Sequence, residues 1–482
     1  MNARPSLVLV VLALAAASPG LEAADVERPV RSYVHGRSAV PRAVAAHLPI
    51  PAFARLYGTG CSTCHSAAPK LNVLGEVFRL AGYRLPDNDV LLRRDEPVAL
   101  GAPPWRDQWP RAIWPSDLPG TTPLALRVQM DMYALNDGNG GRDFDMRLPH
   151  EVYLLAGAPL GDEVSAFLEV EWNPDDRLRI LQAKVGFQNP IPGLPDGAAS
   201  LWIGRQDAHL LTFTDRQIDR AGLLPFSWQF FRLSELRLTD AAAAEVTATN
   251  ALMLGAPLPT VELNGVLGGR LHYGVGVSQG GGGATADNND ELDAYYRLRY
   301  KWGGLDLRGQ YDPGGGPVLG TGGQLQDRAL IVEHFGYRGN ESTATSPQGG
   351  HRATGVSARA LFEAWDVGVG WVKRTFEQPL GTQEGDFRGA NWFAKVDFLA
   401  LPWLLATLKY DHFDVDTDPA AVPAGLTLQP ANRRRLVPGA ALLLRQNIRA
   451  VVEGRVFLEG DAVGMGPTDP TSELFLRLDV IF

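Results

Sequence analysis

The chain has 482 residues, a formal net charge of −9 and 21% charged residues, with a pI near 5.6 and a mean hydropathy of −0.09. So acidic a chain lacks the basic surface that phosphate backbones require, which excludes nucleic acid as a partner. The length is ample for a large core, and a mean hydropathy near zero conceals any strict alternation of apolar and polar residues.

Arg4 precedes an apolar run from Leu7 to Ala17 that is too short to cross a bilayer as a helix, and small residues come after it. Residues 1–23 therefore read as an export signal, with cleavage expected after Ala23. No later stretch reaches the ~20 apolar residues of a membrane helix. No cysteine follows the run to carry a lipid anchor.

The chain has two cysteines, both in Cys61-Ser62-Thr63-Cys64-His65. Two thiols at this spacing, followed at once by histidine, form the attachment pattern of a c-type haem. The thiols add across the two vinyl groups, and the histidine lies under the iron as proximal ligand. A thioredoxin-like pair would need a βαβ context, and a structural zinc site would need four ligands. Neither surrounds this motif. The expected cofactor is one covalent haem c on Cys61 and Cys64, with His65 on the iron.

The second axial ligand stays open. After Met1 the first methionine is Met130, so a methionine has no local candidate. His47 and His35 are the histidines available, and a site that stays open or is filled from afar is the alternative. Beyond the motif, Leu71, Leu74, Phe78 and Ala81 recur at helical spacing, and Gly82 is a natural stop. This apolar face is expected to cover haem or to pack on protein. Residues 24–120 form the expected haem domain or plug, and Trp105, Trp109 and Trp114 are candidates to wedge it into the C-terminal part of the chain.

From about Leu124 the sequence breaks into segments of roughly ten residues with period two. Leu292, Ala294, Tyr296, Leu298, Tyr300 and Trp302 alternate with Asp293, Tyr295, Arg297, Arg299 and Lys301. Val164 to Trp172 and Ile448 to Leu458 behave alike. Soluble strands average about five or six residues. Longer alternating strands separated by turns are the pattern of a transmembrane barrel, apolar to lipid and polar to the lumen. An open sheet cannot sit in lipid, so the strands must close. Residues 121–482 are therefore expected to be a mainly β, antiparallel outer-membrane barrel of about sixteen strands, preceded by a small N-terminal α-helical haem domain.

Short turns at Trp302-Gly303-Gly304 and Ala400-Leu401-Pro402 are assigned to the periplasm. Long polar loops at 136–145, 280–290, 312–324, 338–351 and 414–433 are assigned to the outside. Trp302, Trp403 and Tyr410 suit an interfacial girdle. Leu474, Leu476, Leu478, Val480 and Phe482 alternate with Glu473, Phe475, Arg477 and Asp479 up to the last residue. Such an ending resembles the recognition strand of bacterial outer-membrane barrels, so outer-membrane lipid and the barrel-assembly machinery are expected partners. His412, Asp414, Asp416 and Asp418 share one parity near a loop and form a weak candidate metal site, with plain solvation as the alternative. Gly280 to Gly283 lacks the Lys-Ser/Thr ending of a phosphate loop, and no catalytic triad or carboxylate pair stands out.

Together, the segment Pro51-Ala52-Phe53-Ala54-Arg55, the haem motif, Pro69 to Phe78 and Gly82-Tyr83 resemble the fused monohaem cytochrome–porins of iron-oxidising bacteria. The order of signal, haem motif and barrel is also similar. One departure is Arg55-Leu56-Tyr57-Gly58, where that family often has Arg-Gln-Thr-Gly. The resemblance implies an electron conduit that takes electrons from extracellular Fe(II). A periplasmic cytochrome or copper protein is then the expected acceptor. The alternatives are a solute porin with a haem-bearing plug and outward electron transfer to an extracellular acceptor.

Overall fold

A computed structural model of the full chain describes residues 52–57, 61–85 and most of 124–481. Sixteen antiparallel strands close into one barrel. In chain order they are β1 (Leu124–Asp137), β2 (Arg142–Pro159), β3 (Val164–Trp172), β4 (Arg179–Gln188), β5 (Ser200–Gln206), β6 (Leu258–Leu267), β7 (Leu271–Gln279) and β8 (Leu292–Trp302). The second half contains β9 (Arg328–Glu341), β10 (Gly349–Phe362), β11 (Trp365–Glu377), β12 (Asp386–Leu401), β13 (Leu404–Thr417), β14 (Arg433–Arg445), β15 (Ile448–Phe457) and β16 (Pro470–Ile481). Closure runs through Val480 opposite Val128, between β16 and β1.

The expected alternation holds. On β8 every even residue from Leu292 to Trp302 is exposed and every odd residue is buried. On β16, Glu473, Phe475, Arg477 and Asp479 are buried, while Leu474 is exposed. Phe482 lies outside the described residues. Met130 and Met132 share the outward parity of Leu124, so neither points at the lumen.

Two aromatic girdles bound the apolar wall. At one level Trp371 and Trp392 face each other in register, with ring centres 6.2 Å apart. At the other, Trp365 stacks on Phe398 at 4.3 Å, in company with the exposed Trp302 and Trp403. Trp371 and Trp365 are six residues apart on β11, about 20 Å along a strand. That nearly matches the ~25 Å apolar band of outer-membrane barrels. A sheet with an apolar exterior and charged side chains buried inside is stable only in a bilayer. Among closed barrels this is the bacterial outer-membrane type, which locates the protein there.

β1 starts and β16 ends at the rim that carries the turns at 268–270, 363–364 and 402–403. Short turns mark the periplasmic rim. The 303–327 connection joins β8 to β9 at this same rim, so the expectation that 312–324 is an external loop is corrected. Its turn does begin at Gly303-Gly304, as read from sequence, but Leu305 and Leu307 then bury themselves against the barrel instead of returning at once. The loops expected at 136–145 and 338–351 are shorter than the polar sequence implied, because β1, β2, β9 and β10 run on beyond the apolar band.

The seam between β16 and β1 is held by buried charge. Asp479 accepts from Arg127 at 2.9 Å and from Arg449 at 2.9 Å. Arg477 donates to Asp131 at 2.6 Å. Removing one partner of a buried pair costs about 3–5 kcal/mol, because the other charge stays buried. Asp479→Asn is expected to lower the barrel's guanidinium unfolding midpoint and to raise the fraction that loses its compact, heat-modifiable gel mobility. An unchanged midpoint would show that the seam does not depend on this charge.

Candidate haem plug in the barrel lumen

The segment around the cysteine motif is built from two short helices and a small ladder. Helix α1 spans Ala52–Tyr57 and helix α2 spans Val73–Leu80. Asn72 caps α2 by accepting from the Gly75 amide at 3.0 Å, and Gly82 ends the turn at φ 70°. Between the helices lie a 3-10 turn over Cys61–Thr63 and an antiparallel pairing of His65–Ala67 with Lys70–Leu71.

This unit sits inside the barrel, toward the periplasmic rim. Phe53, Tyr57, Phe78 and Tyr83 pack with wall residues Phe167 and Trp202. Ser165 donates to the Gly82 carbonyl at 2.7 Å, and Arg84 donates to Ser165 at 3.1 Å. Lys70 is buried and bonds both Asp366 and, at 2.6 Å, Asp397. Glu76 is buried against Arg299, which also bonds Glu333. Burial opposes the charge of Glu76, but Arg299, Lys301 and Arg359 together hold its carboxyl below the ordinary range.

The apolar face of α2 differs from the expected one. Val73, Val77 and Phe78 are buried, whereas Leu71, Leu74 and Ala81 are half-buried. The difference arises because the helix has wall on more than one side, and Val73 and Val77 meet Leu305 from the periplasmic connection.

Cys61 and Cys64 are free thiols. Burial raises the pKa of both, that of Cys64 to about 12. His65 is half-buried. Burial lowers its pKa to about 4 against hydrogen bonding to the backbone of Lys70 and Pro69, which favours the proton. Its Nδ1 has no hydrogen-bond partner. A neutral imidazole with an uncommitted ring nitrogen, beside two unpaired thiols, fits the donor set of a covalent haem. Gly75 lets α2 press onto this motif, since a Cβ there would lie 2.1 Å from the Cys64 carbonyl oxygen. His47 and His35, like Trp105, Trp109 and Trp114, lie outside the described residues.

A second filling of the lumen was not legible in the sequence. Described residues of the connection between β5 and β6, which begins at the external end, turn into the lumen. Leu210, Leu211, Phe213, Phe226 and Leu254 are buried against wall residues Phe335, Tyr337, Val372 and Phe393. The Thr212 amide donates to Glu333 at 2.7 Å. Glu333 thus links this segment through Arg299 to Glu76 of the plug. Leu223 reaches the same apolar cluster as Ala67. Inward-facing aromatics such as Phe335 and Phe393, on strands that also turn charges such as Glu333 and Lys395 inward, are the signal that could have located it.

His412 and Asp414 do meet, at 2.9 Å, on the outward face of β13. The Asp416 side chain lies outside the described residues. Among the described residues no group of three histidine, cysteine or carboxylate side chains comes together as a metal site.

No protein-family model matches the chain. No curated protein is similar to it. In fold it is similar to several solved bacterial porins. The anion-selective porin from Comamonas acidovorans is 13% identical at a TM-score of 0.49, covering 74% of this chain and 98% of its own. OmpF of Salmonella typhi, solved with daunomycin, is 9% identical at 0.48, covering 74% and 97%. OmpT of Vibrio cholerae is 9% identical at 0.44, covering 75% and 98%.

The anchoring of the plug is testable by conductance. Lys70→Met leaves Asp366 with Arg359 and Asp397 with Lys395. The loss is therefore expected to be on the order of 2 kcal/mol, below the ~3–5 for an isolated buried charge. In planar bilayers this variant is expected to show larger and more frequent openings than the wild type. The lowered pKa of Glu76 means that its stabilisation is present above its unfolded value and is lost as pH falls through the folded one. Wild-type openings are therefore expected to increase as pH drops below the ordinary glutamate range, and Glu76→Gln is expected to weaken that response. Equal conductance in all three cases would show that these pairs do not hold the plug.

Proposed function

We propose that the protein is an outer-membrane electron conduit, with Fe(II) outside as donor and a periplasmic cytochrome or copper protein as acceptor. The observation that carries this reading is the placement of the Cys61–His65 motif inside the barrel lumen, fixed to the wall by buried ion pairs. The resemblance of residues 51–83 to the fused cytochrome–porins supports it.

Haem c, held by Cys61, Cys64 and His65, supplies a one-electron couple when bound. The chain's own groups do the rest. Burial keeps His65 neutral, so its lone pair is free for iron at neutral pH. The pairing of His65–Ala67 with Lys70–Leu71 fixes the backbone that carries this ring. Lys70, Glu76 and Arg84 hold the plug at a set depth. From the β5–β6 connection, Leu223 packs in one cluster with Ala67, and the Thr212 amide bonds Glu333, the partner of Arg299. A motif held within the lumen favours a dissolved ion over an insoluble particle as donor.

The second reading is a solute porin whose haem-bearing plug is structural. A sixteen-stranded barrel favours it, because barrels of this size leave an aqueous channel when empty. The two readings differ in whether the motif is redox-active toward an external donor.

Full-length protein from outer membranes is expected to carry haem that survives denaturing electrophoresis. Cys61→Ala combined with Cys64→Ala is expected to abolish it. In intact cells, ferrous iron is expected to produce the reduced haem absorbance within seconds to minutes, and His65→Ala to lose this response. Haem that dithionite reduces but ferrous iron does not would overturn the iron donor. An absence of covalent haem would overturn the conduit altogether.

A further inference from the structure

We propose that the outer wall of the barrel binds the phosphate groups of an anionic lipid, on β9 to β12 just above the external aromatic girdle. This site is independent of the haem motif.

The register defines it. One residue pair above the Trp371–Trp392 level, Thr354 lies opposite Lys373. One further pair up, Arg338 lies opposite Arg352 and Thr375 opposite Arg388. All of these side chains share the outward parity of the lipid-facing rows, and Arg338, Arg352, Lys373 and Arg388 are exposed. Four cations on four adjacent strands thus ring the wall at the height where headgroups begin.

Like charges placed directly opposite on neighbouring strands destabilise a sheet, and Arg338 faces Arg352 in this way. An anion bridging the two would turn that repulsion into attraction. Two of the cations have carboxylate partners nearer the loops: Arg352 meets Glu377 at 2.7 Å, and Arg388 meets Asp386 at 3.4 Å. Among the described residues Arg338 and Lys373 have none. Two guanidinium forks, one ammonium and the Thr375 hydroxyl together suit phosphate oxygens.

The occupant is a lipid because the floor of the site is apolar. A groove of about 610 Å³ opens on the wall beside Arg338, Arg352 and Lys373. Ala294 and Gly336 hollow it out between larger neighbours, and the exposed Val275 and Val277 form its far side. An acyl chain fits there with its phosphate at the basic rim. The contrast across the barrel is clear: at the same end β2 presents Phe144, Met146 and Leu148 outward. Basic residues at a membrane surface contribute ~1 kcal/mol each toward anionic lipid.

The test uses the haem-loaded full-length protein in phosphatidylcholine nanodiscs, with or without diphosphorylated lipid A. Native mass spectrometry reads the ratio of retained lipid A to retained phosphatidylcholine. Arg338→Gln combined with Lys373→Gln is expected to reduce that ratio roughly thirtyfold. Arg338→Lys, which keeps the charge, is expected to retain most of it. Arg328→Gln at the periplasmic rim is expected to change nothing, and heat-modifiable mobility reports that each barrel is folded. An unchanged ratio in the double variant, or an equal fall in the Arg328 control, would overturn the proposal. So would displacement of lipid A by inorganic phosphate at equal concentration, since the site would then be one for free phosphate.

Discussion

A buried lysine ammonium set between Asp366 and Asp397 ties the filling of the lumen to the barrel wall. Lys70 opens the strand that pairs back on His65–Ala67, and Asp366 and Asp397 stand opposite each other on β11 and β12. The carboxylates already have Arg359 and Lys395 beside them. Of the plug residues beside these carboxylates, Lys70 supplies the cation, and charge buried without good partners is costly. With Lys70, wall and plug are complementary. Glu76 on Arg299 repeats the arrangement with the signs reversed, one helix further along the chain.

The rest of the lumen depends on that anchoring. A barrel wall rich in inward charge needs polar partners or water. Here the plug supplies them near the periplasm, and described residues of the β5–β6 connection supply others, such as the Thr212 amide on Glu333 and the Leu223 amide on Glu453. Arg299 bonds Glu76 of the plug and Glu333 of the wall, and Glu333 accepts from the Thr212 amide, so the two fillings share one hydrogen-bonded network. Their shared bonds give a physical route by which a change in one is felt by the other. The outer face has its own logic, with apolar residues between two aromatic girdles and a cationic row above the upper one.

Much of the wall was readable from residues alone. Alternation on segments such as Leu292–Trp302 fixed which side chains face lipid, because a strand's period of two leaves no other assignment once one face must be apolar. The Cys61–His65 spacing marked the candidate cofactor site, and Gly82 marked the end of α2. What sequence could not show was depth. Nothing in Pro51–Tyr83 says that it enters the barrel, because its anchors are single charges whose partners are about 300 residues away, as Lys70 is from Asp366 (|i−j| 296). The 312–324 stretch misled for a related reason: its glycines read as an exposed loop, and only strand direction assigns it to the periplasmic rim. The 207–257 segment has apolar residues without a clean period, and their burial depends on a lumen that exists only after the barrel closes.

The central claim is that a motif held within the lumen joins the two sides of the outer membrane electrically. The most direct measurement places haem-loaded protein in liposomes with mitochondrial cytochrome c trapped inside and ferrous iron added outside. The account predicts reduction of the trapped cytochrome, dependent on wild-type protein and absent with His65→Ala. A trapped cytochrome that stays oxidised, while dithionite still reduces the haem of the protein, would contradict it.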